Sequence, residues 1–211
     1  MATIPEMKAI VPILEACEAP VIFDLGAHEG FDSEWMVRAC KTPPDLVMVE
    51  PDEAHFRRLA EIVTSLPTRT HALYQAAISD HRGNCDFYAC STPEGRGSGS
   101  IRRPTGHVVR NGIKYDFEKR EVPCLTLDYI FSFIAAKRID MLWVDIQAAE
   151  RDMIAGGQEA LKHTRYMFIE AENGAEMYEG QLMRDQLFAL LPGWRVIGDF
   201  DYNYLLQNDN V

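Results

Sequence analysis

Three carboxylates in this chain each close a short apolar run: Asp24 within Val21–Gly30 (VIFDLGAHEG), Glu50 after Leu46–Val49, and Asp145 after Met141–Val144. A carboxylate at the end of a buried strand is costly unless a hydrogen bond or a cation satisfies it. It also faces the crevice in which open α/β sheets bind ligands. Gly26 and Gly30 follow Asp24, so backbone can approach a ligand closely just before a helix opens near Phe31. Glu50 falls roughly 20 residues after that turn, the spacing at which an acidic strand end accepts hydrogen bonds from ribose hydroxyls. The pair therefore suits an adenosyl group. Each member also has a plainer reading: Asp24 as an Asx-capped turn, and Glu50 as a charge at the start of a helix opening at Pro51–Glu53.

The glycine spacing is not Gly-x-Gly-x-x-Gly, which weakens the case for a nicotinamide or flavin dinucleotide. Neither a Walker loop nor a Gly-x-Ser-x-Gly elbow occurs, so P-loop and esterase chemistry have no support. His28 sits inside the glycine turn, as a ligand contact or base, or as a turn residue with its ring in solvent. Glu170 and Glu172 close a further apolar run and, with Asp145, would form an oxygen-rich rim suited to Mg²⁺. Solvated acidic loops are commoner, so a divalent metal is the less favoured reading and no metal ligand is assigned.

Positioning these groups requires an alternating chain. Strands are expected at Val21–Leu25, Leu46–Glu50, Ala72–Ile78, Met141–Ile146 and Tyr166–Ile169, with a final pair at Trp194–Ile197 and Tyr202–Leu206. Helices are expected at Ile4–Cys17, Ser33–Cys40, Glu53–Leu66, Thr126–Ala136, Glu150–Leu161 (interrupted at Gly156 and Gly157) and Gln181–Leu191. Such alternation implies parallel strands joined by right-handed crossovers. Residues 83–122 break it: a strand at Asn84–Cys90, the Gly-, Ser-, Pro- and Arg-rich Ser91–Gly106, then Asn111 and Gly112 as a hairpin turn. A structureless stretch of that length inside a compact domain is often a functional lid. The chain reads as one domain, 1–211, with an N-terminal helix in 1–19 and residues 83–122 as a strand–loop–hairpin excursion. Ser98, Ser100, Arg102 and His107 within it, with Glu172 beyond it, are the candidate substrate or lid residues, and Arg102 and Arg103 could meet a phosphate or acidic substrate.

Apolar residues make up 47% and charged residues 25%, the profile of an ordinary globular protein. A net charge of −11, with the densest basic spots only two residues long, argues against a nucleic-acid partner. No apolar run approaches the ~20 residues of a membrane span. Residues 1–18 lack a signal-peptide core, so the cytoplasm is the default location. Five cysteines without a Cys-x-x-Cys pair read as reduced thiols. A homodimer is only the general expectation for oligomeric state.

Taken in order, Val21–Gly30, Val49–Asp52 (VEPD), Gln75–Asp80 (QAAISD) with Gly83, Val122–Asp128 (VPCLTLD) and Trp143–Glu150 (WVDIQAAE) resemble FkbM-type S-adenosylmethionine-dependent methyltransferases. The likeness extends to Gly97–Ile101 (GSGSI) and Met177–Gln181 (MYEGQ). The resemblance implies an α/β, Rossmann-like class I methyltransferase: a mostly parallel seven-stranded sheet with an antiparallel edge strand and helices on both faces. It implies that Asp24, Gly26 and Gly30 line the methionine side of the cofactor, Glu50 the ribose, and Ala77, Ile78 and Ser79 the adenine. Asp145 and Gln147 would face the methyl-transfer crevice, and Ala27, His28 and Pro51 complete the cofactor set. The expected activity is O-methylation of a small hydroxylated molecule of sugar or natural-product type, with Asp145 or His28 orienting or deprotonating the hydroxyl. N-methylation, another nucleotide enzyme and a non-catalytic binding protein stand as alternatives. The family commonly has Asn where this chain has His28, and Gly where it has Ala148, and Ala tolerates positive φ poorly.

Overall fold

A computed structural model describes residues 2–105 and 114–211. Its elements in order are α1 (Ile4–Ala16), β1 (Val21–Leu25), α2 (Phe31–Ala39), β2 (Asp45–Val49), α3 (Glu53–Val63), β3 (Thr70–Tyr74), β4 (Ala77–Ile78) and β5 (Gly83–Cys90), followed by a 3₁₀ turn at Pro93–Ser98. Then come β6 (Phe117–Leu125), α4 (Leu127–Ser132), β7 (Ile139–Val144), α5 (Glu150–Ala155), α6 (Gln158–Lys162), β8 (Thr164–Glu170), α7 (Arg184–Phe188), β9 (Trp194–Phe200) and β10 (Asn203–Asn208).

The central sheet runs β3-β2-β1-β7-β8-β10-β9. From β3 to β8 all pairings are parallel, and β10 is antiparallel to both its neighbours. The antiparallel strand thus lies one place in from the edge, between β8 and β9, and not at the margin. A tight connection forces this: β9 and β10 form a hairpin, so β10 must reverse direction, and its apolar Tyr204–Leu206 claim the inner position.

Every residue of β1 and β7 is buried, as expected where helices cover both faces of a parallel sheet. Alternation divides β1 between two cores. Val21, Phe23 and Leu25 pack with α4–α7 on one face, while Ile22 packs with α1–α3 on the other. Asp24 shares that second face with Ile22 by the period-2 rule. In α3, Leu59 and Val63 turn inward, and Asp52 caps the helix by accepting from Ala54 N (2.9 Å) and His55 N (3.3 Å). Asn203 Nδ2 donates to Glu6 Oε1 (2.9 Å), tying α1 to the β9–β10 hairpin.

Three expectations need correction. Ala72–Ile78 is not one strand: β3 belongs to the main sheet, whereas β4 leaves it for a small sheet of order β4-β6-β5. The strand β6 went unread, because the stretch Glu118–Glu121 is charged and exposed and only Val122 and Cys124 are buried. Ser91–Gly106 is not structureless, since its described part holds a 3₁₀ turn and bridges Tyr88 to Ser100 and Pro104 to Tyr178. The hairpin expected around Asn111 and Gly112, and His107, lie outside the described residues. Among the described residues no helix is long and apolar enough to cross a membrane.

Candidate active site

β1 has β2 on one side and β7 on the other, so the loops leaving their C-terminal ends diverge and open a crevice. Gly26 N and Ala27 N donate to Val49 O (2.9 and 3.0 Å), and Asp145 N donates to Leu25 O (3.0 Å). Gly26 has φ +82°, and a Cβ built there would stand 1.9 Å from the Asp145 carbonyl oxygen. Conformation and contact both reserve that position for glycine. His28 is also left-handed, at φ 50°, a region in which Asn, Asp and His are enriched. The exchange of Asn for His is therefore conformationally conservative.

These loops wall a cavity of about 330 Å³, within the ~300–1,000 Å³ range of small-molecule sites. Of the residues expected to bind cofactor, Asp24, Gly26, Ala27, His28, Glu50, Pro51, Ala77, Ile78 and Asp145 line it. Gly30, Ser79 and Gln147 do not. Gly30 caps α2, and Ser79 Oγ turns to Asp80 and His81. The Gln147 side chain is engaged elsewhere, as described below. Phe31, Phe87, Ile101 and Ile146 add an apolar wall, and His55 and Arg96 also line the space. Sequence reasoning missed these. The burial alternation along β5 was the one signal that could have found Phe87.

The walls are strongly acidic. Asp24 is 1% exposed. Its Oδ2 accepts from Ser33 Oγ (2.5 Å), while Oδ1 has no partner among the described residues, so it forms no Asx turn. Burial pushes its carboxyl up to about 7. Glu50 accepts from His28 N and Asp52 N, both at 2.8 Å, and burial still raises it to about 8. The α3 cap belongs to Asp52, which leaves Glu50 facing the cavity. Burial raises Asp145, and raises Glu170 well above the carboxylate range with help from the Asp145 charge. Burial lifts Glu150 to about 7, against the pull of backbone N–H groups at Glu150, Ala148 and Ile146.

Burial, then the neighbouring His55, push His28 down to about 4. Its imidazole is therefore neutral near pH 7, and Nε2 is buried without a partner among the described residues. The His28 and His55 rings lie 3.9 Å apart, and with Glu29 they offer ligand atoms all within 4.8 Å of one another, a set that could hold a divalent metal. The acidic rim read from sequence is arranged otherwise. Gln147 Nε2 donates to Asp145 Oδ1 (2.6 Å) and Glu170 Oε2 (2.9 Å), while Glu172 Oε1 accepts from Asn173 N and Gly174 N in its own turn.

Residues 93–105 cover the cavity from the far side, with Arg96, Gly97, Gly99 and Ile101 in its wall. Tyr88 N donates to Ser100 O (2.7 Å), Thr105 N to Met177 O (2.8 Å), and Glu179 N to Arg103 O (2.8 Å). Arg102 pairs with Asp152. Ser98, Ser100 and Arg102 thus anchor the segment and do not line the cavity. Gln181 Oε1 accepts from Met177 N (2.8 Å), which shapes the turn that receives it.

Residues 24–205 match the methyltransferase FkbM domain. The 2-O-methyltransferase NoeI of Sinorhizobium fredii is 33% identical over 213 residues, covering 97% of this chain and 85% of that relative. Among solved structures, the methyltransferase FkbM of Methylobacillus flagellatus superposes with a TM-score of 0.57 at 13% identity, over 90% of this chain and 43% of that one. This chain thus spans less than half of that protein. A putative O-methyltransferase from Klebsiella pneumoniae gives a TM-score of 0.55 at 10% identity, over 100% of this chain and 82% of the other. A putative rRNA methylase from Clostridium thermocellum gives 0.56 at 8% identity, over 98% of this chain and 96% of the other. At such identities the structural likenesses speak to the fold alone.

Proposed function

This chain belongs to the FkbM methyltransferase family, and on that premise we propose that it transfers a methyl group from S-adenosylmethionine to a hydroxyl of a small molecule. The observation that carries this reading is the buried acidic wall with an unpartnered Asp24 oxygen, which suits a ligand bearing positive charge. S-adenosylmethionine has two such centres, an α-amino group and a sulfonium that supplies the activated methyl.

Asp24 Oδ1 would take the amino group, and Gly26 would let the ligand lie against main chain. Glu50 would accept from the ribose hydroxyls, with Ala77 and Ile78 flanking the adenine. Asp145 would orient the acceptor hydroxyl and take its proton, since burial makes its carboxylate a stronger base than an exposed one. His28 would serve as a hydrogen-bond acceptor through Nε2. Most of the acceleration would come from alignment of acceptor and methyl in a closed cleft. The relative named as a 2-O-methyltransferase favours oxygen over nitrogen acceptors.

Calorimetry tests the cofactor. S-adenosylmethionine should bind, NADH should not, and Asp24→Ala and Glu50→Ala should each weaken binding. Wild-type protein that ignores S-adenosylmethionine would falsify the reading. Methyl transfer to a panel of hydroxylated sugars, set against amines, then tests the acceptor class.

A further inference from the structure

One residue at the rim links the ends of β7 and β8 to the 93–105 segment without lining the cavity. Gln147 Nε2 donates to Asp145 Oδ1 (2.6 Å) and to Glu170 Oε2 (2.9 Å). Its Oε1 lies 2.9 Å from Tyr178 Oη, which is also 3.0 Å from Ser98 O, so one hydroxyl proton serves two acceptors. Its main-chain oxygen accepts from Ser100 Oγ (2.5 Å). The amide orientation follows from its partners, because only the NH₂ end can face two carboxylates. Gln147 holds φ 51° and Ala148 φ 73°. Two successive non-glycine residues in the left-handed region cost about 1–2 kcal/mol each and persist where surrounding contacts over-determine them.

We propose that Gln147 is a positioning residue: it fastens the 93–105 segment over the cleft and fixes Asp145 toward the acceptor through the same amide group. The lid and the candidate base are then parts of one hydrogen-bonded unit. Two carboxylates sharing one NH₂ group cannot both carry full charge at low cost, so the unit retains a proton between Asp145 and Glu170. Groups facing the pair reinforce this. They are Asp24 on β1, Asp32 on α2, Glu150 on α5, Glu172 after β8 and the Tyr178 hydroxyl, opposed at Asp145 by the charge of the chain's amino terminus. The role assigned to Asp145 rests on the methyltransferase reading. The fastening of the lid does not.

The test uses the full chain and two substitutions. Tyr178→Phe removes the hydroxyl between Gln147 and Ser98 but leaves both amide–carboxylate bonds. Gln147→Glu keeps an acceptor for Tyr178 but sets a third carboxylate against Asp145 and Glu170. Hydrogen exchange over residues 93–104, corrected to intrinsic rates, is compared at pH 6 and pH 8, and S-adenosylmethionine affinity is measured by calorimetry across the same range. Wild type should be protected at both values. Tyr178→Phe should lose about tenfold in protection at both and keep the wild-type pH profile of cofactor affinity. Gln147→Glu should lose protection at pH 8 and regain it at pH 6, with its affinity profile displaced to higher pH. A residue with a merely structural role would give the same loss at both pH values. That result, or full protection in Tyr178→Phe, overturns the proposal. If wild type fails to bind S-adenosylmethionine, the functional reading fails while the exchange data still judge the lid.

Discussion

On one side of the cleft, main chain holds main chain. The β1 loop rests on Val49 O through Gly26 N and Ala27 N, and Asp145 N closes onto Leu25 O. On the facing side, residues 93–105 meet the sheet strands and the 177–179 turn through a few main-chain pairs, at Ser100, Arg103 and Thr105, and reach the cleft itself through side chains: Ser100 on Gln147, Tyr178 on Ser98, and Arg102 on Asp152. The first wall is thus a continuation of the sheet, and tolerates little. The second is a separate layer attached at points, which substitution can loosen without dismantling the fold. On the proposed function, the first wall would serve as the constant site for the cofactor and the second as the adjustable site for the acceptor.

The harshest way to break the contrast is Gly26→Ala. With the Asp145 carbonyl 1.9 Å from the new Cβ, and φ at +82°, the loss should reach at least about 3 kcal/mol in urea melts. A well-folded Gly26→Ala protein would show the cofactor wall to be more pliant than argued.

Next come Asp24→Asn and Glu50→Gln. Each removes a charge-assisted contact and should raise the S-adenosylmethionine dissociation constant roughly 10- to 100-fold. Asp24→Asn should nevertheless raise the melting temperature of ligand-free protein at pH 8, because it relieves a buried charge, whereas Glu50→Gln also turns an NH₂ group onto one of the two backbone N–H donors and should gain less. Variants that lose stability and affinity together would point to a structural role instead.

The pH dependence sharpens the same point. Asp24 and Glu50 have folded values near 7 and 8, above those of an unfolded chain. Their contribution to stability is full below about pH 4 and is lost as pH rises through 7 to 8. Ligand-free protein should therefore melt lower at pH 8 than at pH 6. The rise in melting temperature on adding S-adenosylmethionine should be larger at pH 8. A ligand-induced rise that shrinks with pH would count against a cationic ligand in this cleft.

The smallest effect is expected at Ala148. Relieving φ 73° with Ala148→Gly should stabilise by about 1 kcal/mol and raise the melting temperature by roughly 2–4 °C. No change in a thermal scan would mean that the turn is held more cheaply than its dihedral suggests.

The same division governs what could be read from sequence. β1, β2 and β7 are apolar runs ending in acids because a parallel strand covered on both faces must be apolar until it emerges. That made the strand ends, and the carboxylates on them, visible. β6 was not visible because it lies in a sheet with one solvated face, and its buried pair Val122 and Cys124 flanks a proline. Tyr178 was noticed only as a member of a motif, and Gln147 only as a residue facing the crevice. Their partnership joins segments far apart in sequence, which no local pattern reports. Glu150 was likewise visible only as the end of a motif, although it is buried.

That last residue bears on ligand choice. The left-handed turn at Gln147 and Ala148 gathers main-chain N–H groups into a concavity, the kind of backbone nest that elsewhere captures an anion. Here the chain fills the nest with its own Glu150 carboxylate. The N–H groups at the end of β7 are thus met from within the chain, whereas Asp24 Oδ1, across the cleft, keeps an open acceptor for a ligand.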